Sequence, residues 1–170
     1  MNIIAFDSSL KRSAWAGVRD GVVMWDSRSF IKPNDKEFPD LRFHEWRLWA
    51  AGAIEFIEPS VCVLELPTPH GGASGKPQIM LEMTLRELCA VRRIKVKAIY
   101  PTALKLYLTG NGKADKSEMM QAVAARINGY DPVLDIGGDV GDALAQILWM
   151  QDGAPESQAA QKRRAKKELK

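Results

Sequence analysis

The stretch NIIAFDSSLKRSAWAGVRDGVVMWDSRSF, residues 2–30, sets the architecture of this chain. An apolar run, Ile3-Ile4-Ala5-Phe6, ends on Asp7. Two serines and two cations follow, and then the segments SAWAGVRD and GVVMWDSRSF, which meet at Asp20-Gly21. An Asp-Gly pair between two such segments is a strong signal for a two-residue hairpin, because both turn residues need positive φ. Strands are therefore predicted over 2–6, 13–19 and 22–30, so that the chain opens as an antiparallel meander. Its first strand is buried and ends on a carboxylate. Ser8 and Ser9 read as turn residues or backbone partners, not as nucleophiles.

Working outward, IKPNDKEFPD (31–40) is a turn-rich connection containing two prolines. A helix is predicted over 41–58, where Phe43, Trp46, Trp49, Ala50, Ala53, Ile54 and Ile57 recur at helical spacing. The tryptophans of that face suit core packing better than base stacking. Pro59 stops the helix. SVCVLEL (60–66) is a continuous apolar strand of the kind found in sheets covered on both faces, and Glu65 stands at its end. A glycine-rich loop, 67–77, leads to a helix over 78–91 with Ile79, Met83, Leu85 and Leu88 on or near its apolar side. KVKAI (95–99) is a short strand. Helices follow over 101–108, starting with proline, over 115–127, starting with the capping box Asp115-Lys116-Ser117-Glu118, and over 139–151.

The order β-β-β-α-β-α-β-α-α-α predicts an α/β domain with a mixed sheet of about five strands flanked by helices. A hairpin at the start, and no GxGxxG after the first strand, argue against a doubly wound nucleotide fold. With 170 residues the chain is long enough for one domain and one good core. That domain is placed at 1–153, with 154–170 as a basic, disordered tail. The last ten residues carry six cations and one anion; taking that +5 from the chain's +3 leaves −2 for the rest. No apolar run approaches the ~20 residues of a membrane span. Asp7 interrupts the N-terminal apolar stretch, so no signal peptide is expected and the cytoplasm is the expected compartment. Cys62 and Cys89 read as two buried reduced thiols, without a CxxC metal pattern.

Four acids stand where a solvated charge is not expected. Asp7 and Glu65 end apolar strands that a sheet can place side by side. Asp139 and Asp142 begin the last helix and, three residues apart, share a face, while Val140, Ala143, Leu144, Ile147 and Leu148 press that helix onto the sheet. Each acid alone has a plainer reading: Asp139 as an N-cap, Asp142 as a complement to the helix dipole. Buried together, they would repel one another unless cations neutralise them. An all-oxygen site suits a hard divalent ion, Mg²⁺ with Mn²⁺ able to substitute. Two such ions about 3.5–4 Å apart can clamp the attacking and leaving oxygens of a phosphodiester.

Taken in order, IIAFDSSLKRSAWAGV, VLEL, YPTALKLYLTGNGKADKSEM and DVGDALAQILW resemble the successive blocks of the RuvC-like Holliday-junction resolvases, which belong to the RNase H-like nucleases. The resemblance spans residues 2 to about 150. It implies an RNase H-like fold in which Asp7, Glu65, Asp139 and Asp142 are the catalytic, metal-binding acids. It also implies that Lys105 and Lys116 work beside the scissile phosphate, where a cation stabilises developing charge. The implied activity is resolution of four-way or related branched DNA by paired nicks leaving 5′-phosphate and 3′-hydroxyl ends. The implied assembly is a homodimer built on the helix 78–91.

One departure is visible. The family places an aromatic ring shortly after the glutamate; here ELPTPHGGASGKP offers only His70, which points to broader selectivity for branched DNA. An RNA-processing nuclease of the same fold and a non-catalytic module binding branched nucleic acid are the alternatives. An actin-like ATPase would want a glycine-rich phosphate turn where DSSLKRS stands, and a chain long enough for two lobes.

Overall fold

The computed structural model describes residues 1–30, 41–66 and 75–155. The connection 31–40, most of the glycine-rich loop with His70, and the tail from 156 onward lie outside the described residues.

The elements follow the predicted order: β1 (Ile3–Asp7), β2 (Arg12–Arg19), β3 (Val22–Ser29), α1 (Leu41–Ile57), β4 (Val61–Glu65), α2 (Gly75–Val91), β5 (Lys95–Ile99), α3 (Pro101–Thr109), α4 (Lys116–Ala124) and α5 (Asp139–Gln151). They build a five-stranded sheet in the order β3-β2-β1-β4-β5. β1 runs antiparallel to β2 and parallel to β4, so it lies at the centre where the two kinds of pairing meet. Asp20 and Gly21 adopt φ of 52° and 84°, the left-handed pair that a two-residue hairpin demands.

Successive strand residues point to opposite faces, and each face has its own core. Ile3, Ala5, Val61 and Val63 pack under Leu144, Ile147 and Leu148 of α5, with Leu104 of α3 and Met119 and Val123 of α4. Ile4, Phe6, Cys62 and Leu64 pack under Trp46, Ala50 and Ile54 of α1, with Leu81, Leu85 and Leu88 of α2. This explains the unbroken apolar run of β4, which is covered on both sides. Both cysteines are buried and free. Gly17 lets α1 approach β2 closely, since a Cβ there would lie 2.7 Å from Ile57 Cδ1. The edge strand β5 carries Lys95 and Lys97 outward, charges that discourage edge-to-edge pairing. Among the described residues no helix is long and apolar enough to cross a membrane.

Two boundaries differ from expectation by more than a residue or so, and so does the buried face of one helix. α2 begins at Gly75 and not at residue 78, with Pro77 in its first turn, where the missing N–H costs nothing. α4 ends at Ala124, its last predicted residues forming a turn, though its capping box is present as expected. On α2, Ile79 and Met83 do not join the core. They are 51% and 60% exposed, and Leu81 is buried instead.

Candidate active site

Asp7 and Glu65 follow the register pair Phe6↔Leu64, so they end neighbouring parallel strands side by side. By strand alternation they share the face of Ile3, Ala5, Val61 and Val63, the face that α5 covers. Two hydrogen-bond systems fix this end of β1. Gln146 of α5, fully buried, donates from Nε2 to the Phe6 carbonyl at 3.1 Å. On the turn after Asp7, the buried Ser13 hydroxyl donates to the Ser9 carbonyl at 2.7 Å and accepts from the Ser9 N–H and from Trp46 Nε1, both at 2.9 Å. Ser9 thus serves the backbone, as expected.

Asp139 and Asp142 both meet Lys116, whose Nζ lies 3.6 Å from Asp139 Oδ1 and 3.0 Å from Asp142 Oδ2. Their three-residue spacing therefore does place them on one face. Lys116 is not merely a solvated first-turn residue. Burial works against its charge, but Asp142, Asp139 and Asp7 outweigh that and hold the ammonium above its ordinary pKa. Gly138 makes room for it: φ is +70°, and a Cβ would stand 2.3 Å from Lys116 Cε. Lys105, half-buried on α3, lies near enough to Glu65 to favour its charged form.

The four acids act on one another. Burial, then Asp142, Glu65 and Asp139, push the Asp7 carboxyl well above its usual range, against the pull of Lys116. Burial and then Asp142 push Glu65 up to about 7, with Lys105 and Lys116 opposing. Asp142 is raised by burial, which Lys116 only partly offsets. The folded chain therefore binds more protons here than the unfolded one, from the ordinary carboxylate range up to about 7 for Glu65. Across that window stability falls as pH rises, and bound cations would reverse the penalty. An all-carboxylate donor set fits a hard divalent ion. Among the described residues no three Asp, Glu, His or Cys side chains are gathered in a metal-holding arrangement; the Lys116 ammonium stands between Asp139 and Asp142.

Two residues of this site escaped the sequence reading. Asp139 is the first residue of α5 and not its cap; the N-cap is Gly138, which has no side chain to offer. Asp135, buried, takes over that work. It accepts from the Gly141 N–H at 2.8 Å, the Val140 N–H at 3.4 Å and the Tyr130 hydroxyl at 2.9 Å. Arg12, at the start of β2, reaches Asp135 at 3.8 Å and Asp139 at 3.4 Å. A cleft beside Asp7 and Glu65 is walled by Gln78 and Glu82 of α2, and Arg86 holds Glu82 at 2.8 Å.

No protein-family model matches the chain. The crossover junction endodeoxyribonuclease RuvC of Neorickettsia sennetsu is 27% identical over 150 residues, covering 84% of this chain and 87% of that protein. Thermus thermophilus RuvC in complex with a Holliday junction substrate shares the fold with a TM-score of 0.71, at 15% identity, over 87% of this chain and 91% of that one. A second T. thermophilus RuvC structure gives 0.64 at 15% identity, over 90% and 97%. The sheet order and the placement of the helices are those of an RNase H-like fold. Within that class the chain resembles the RuvC-like Holliday-junction resolvases, in sequence and in fold.

Proposed function

We propose that this chain is a metal-dependent endodeoxyribonuclease that resolves four-way (Holliday) or related branched DNA by paired nicks leaving 5′-phosphate and 3′-hydroxyl ends. What supports this reading most is that Asp7, Glu65 and Asp142 stand at one end of the sheet, where burial and like charge, Asp139 among the charges acting on Asp7 and Asp142, disfavour their ionised forms and a cation would favour them. The likeness to RuvC supplies the substrate class.

In this reading the four acids would hold divalent cations, Mg²⁺ with Mn²⁺ as a substitute. Such ions supply an activated water and shield the leaving 3′-oxygen. Lys116 and Lys105 do the remaining electrostatic work. Lys116 stays charged because three acids surround it. Its ammonium, on a flexible four-carbon stem, can turn from Asp139 and Asp142 toward a phosphate that carries more negative charge as it reacts. Lys105 approaches the same region from α3, on the Glu65 side. The enzyme works in the cytoplasm, with DNA as its partner.

The test is cleavage, with Mg²⁺, of a synthetic four-way junction beside three-way, flap and linear duplex DNA and a structured RNA. Symmetric nicking of the four-way junction, faster than of linear duplex, is expected. Equal or faster cutting of the RNA would replace this reading with an RNA-processing one, and binding without cutting would leave a non-catalytic module.

The enzyme also acts as a homodimer, so that two sites match the two-fold symmetry of the junction. Supporting this, α2 turns Ile79, Met80 and Met83 outward, all more than half exposed, with Met83 one turn on from the other two. Ile79→Asp with Met83→Asp is expected to yield a folded monomer by light scattering and to uncouple the paired nicks. An unchanged dimer would move the interface elsewhere.

A further inference from the structure

We infer that Arg12 is a positioning residue for Asp139: its guanidinium fixes one carboxylate oxygen of that acid and leaves the other to serve the acidic cluster. This rests on the function proposed above, in which Asp139 is one of the working acids.

Arg12, at the start of β2, ties the end of β3 to the stretch 135–139, far away in the chain. Its Nε lies 3.4 Å from Asp139 Oδ2, at the start of α5. Its Nη2 lies 3.2 Å from Ser27 Oγ on β3 and 3.8 Å from Asp135 Oδ1. Its Nη1 donates to the Ile136 carbonyl. Only a planar guanidinium offers donors in so many directions at once. The side chain is 27% exposed, so these contacts are partly shielded from water.

The two cations beside Asp139 are therefore not equivalent. Lys116 takes Oδ1 and Arg12 takes Oδ2, so the carboxylate is divided between them. Lys116 is nearly half exposed, and among the described residues its ion pairs are with Asp139 and Asp142. It can leave when a phosphate or a metal ion arrives. Arg12 is bound also to Ser27, Asp135 and a backbone carbonyl, so it stays when Lys116 leaves. Asp139 then keeps Oδ2 on Arg12 and presents Oδ1 toward Asp142. Arg12 further separates Asp139 from Asp135. Asp135 is locked by the N–H groups of α5 and by Tyr130, so without the guanidinium it is Asp139 that would swing away.

The experiment compares wild type, Arg12→Gln and Arg12→Lys in three measurements: Mg²⁺ titration by calorimetry without DNA, single-turnover cleavage of the four-way junction at saturating Mg²⁺, and junction affinity in EDTA. Supporting residues of this kind typically cost about 10–100-fold in metal affinity or activity. Arg12→Gln is expected to weaken Mg²⁺ binding and slow cleavage within that range, with junction affinity within about twofold of wild type. Arg12→Lys should melt close to wild type yet recover neither quantity, because one ammonium cannot bridge Asp139, Asp135 and Ile136. If Arg12→Gln does not fold, Arg12→Lys alone decides. Wild-type Mg²⁺ affinity and cleavage rate in Arg12→Lys would overturn the inference, as would their retention in a folded Arg12→Gln. Wild-type protein that cuts no nucleic acid would strike the proposed function instead, and the DNA-free Mg²⁺ titration would still judge Arg12.

Discussion

Asp7→Asn is expected to abolish cleavage of a four-way junction while leaving its binding within about twofold of wild type. The loss should exceed by far the about 100-fold that removal of a supporting residue costs. Asparagine keeps the shape of the side chain but not its charge, and the charge is what a divalent ion needs at the end of β1. DNA affinity should survive because Asp7 offers a phosphate nothing but repulsion. A second consequence separates this outcome from misfolding. Asp7 is half-buried, and desolvation and then the like charges of Asp142, Glu65 and Asp139 raise its carboxyl pKa. Removing one of the four should raise the melting temperature of the metal-free protein at neutral pH, where a damaged fold would lower it. Single-turnover cleavage, a mobility-shift titration in EDTA and a melting curve check the three parts. Retained cleavage would take Asp7 out of the site.

The largest stability effect is expected at Trp46. Its side chain is fully buried, and its indole N–H donates to Ser13. Truncating such a residue to alanine costs about 3–5 kcal/mol, a large share of the about 5–15 kcal/mol that holds a domain folded. The melting temperature should fall by about 10 °C. Trp46→Phe keeps most of the volume but leaves Ser13 without its indole donor, at about 1 kcal/mol. The two variants also separate packing from site geometry. Ser13 holds Ser9 by two hydrogen bonds, and Ser9 lies on the turn just after Asp7. Trp46→Phe should therefore lower cleavage more than its small loss of stability suggests. Urea melts and cleavage rates on the same preparations test this.

Much of the fold was legible because its signals are local. Asp20-Gly21 announced the hairpin, and its positive φ angles explain why. The unbroken apolar run of β4 announced a strand covered on both faces. The apolar side of α2 is legible only in part, at Leu85 and Leu88, because apolar residues surround that helix at 79, 80, 81, 83, 85 and 88. Only packing chooses among them, and it chose Leu81 over Ile79 and Met83. The site divides in the same way. Asp7 and Glu65 stood out because a carboxylate at the end of a buried strand is anomalous where it stands. The two α5 acids stood out through helical spacing. Arg12 and Asp135 did not. Arg12 sits in a short cationic run that reads as a turn, and its partner Asp139 lies on the far side of the chain. Asp135 lies in a loop without periodicity, and its role as a cap depends on Gly138 having taken a left-handed conformation.

The bond from Gln146 to the Phe6 carbonyl joins residues 140 positions apart and holds the last helix on the first strand. Its consequence concerns the birth of the protein. Domains fold as units while the chain is being synthesised from its N-terminus. Asp7 and Glu65 are made early, but Asp139 and Asp142 arrive on α5, after all five strands. A ribosome-bound chain can thus form its meander and much of its sheet while lacking half of its acids. The proposed site is therefore completed only when α5 has emerged and docked on β1.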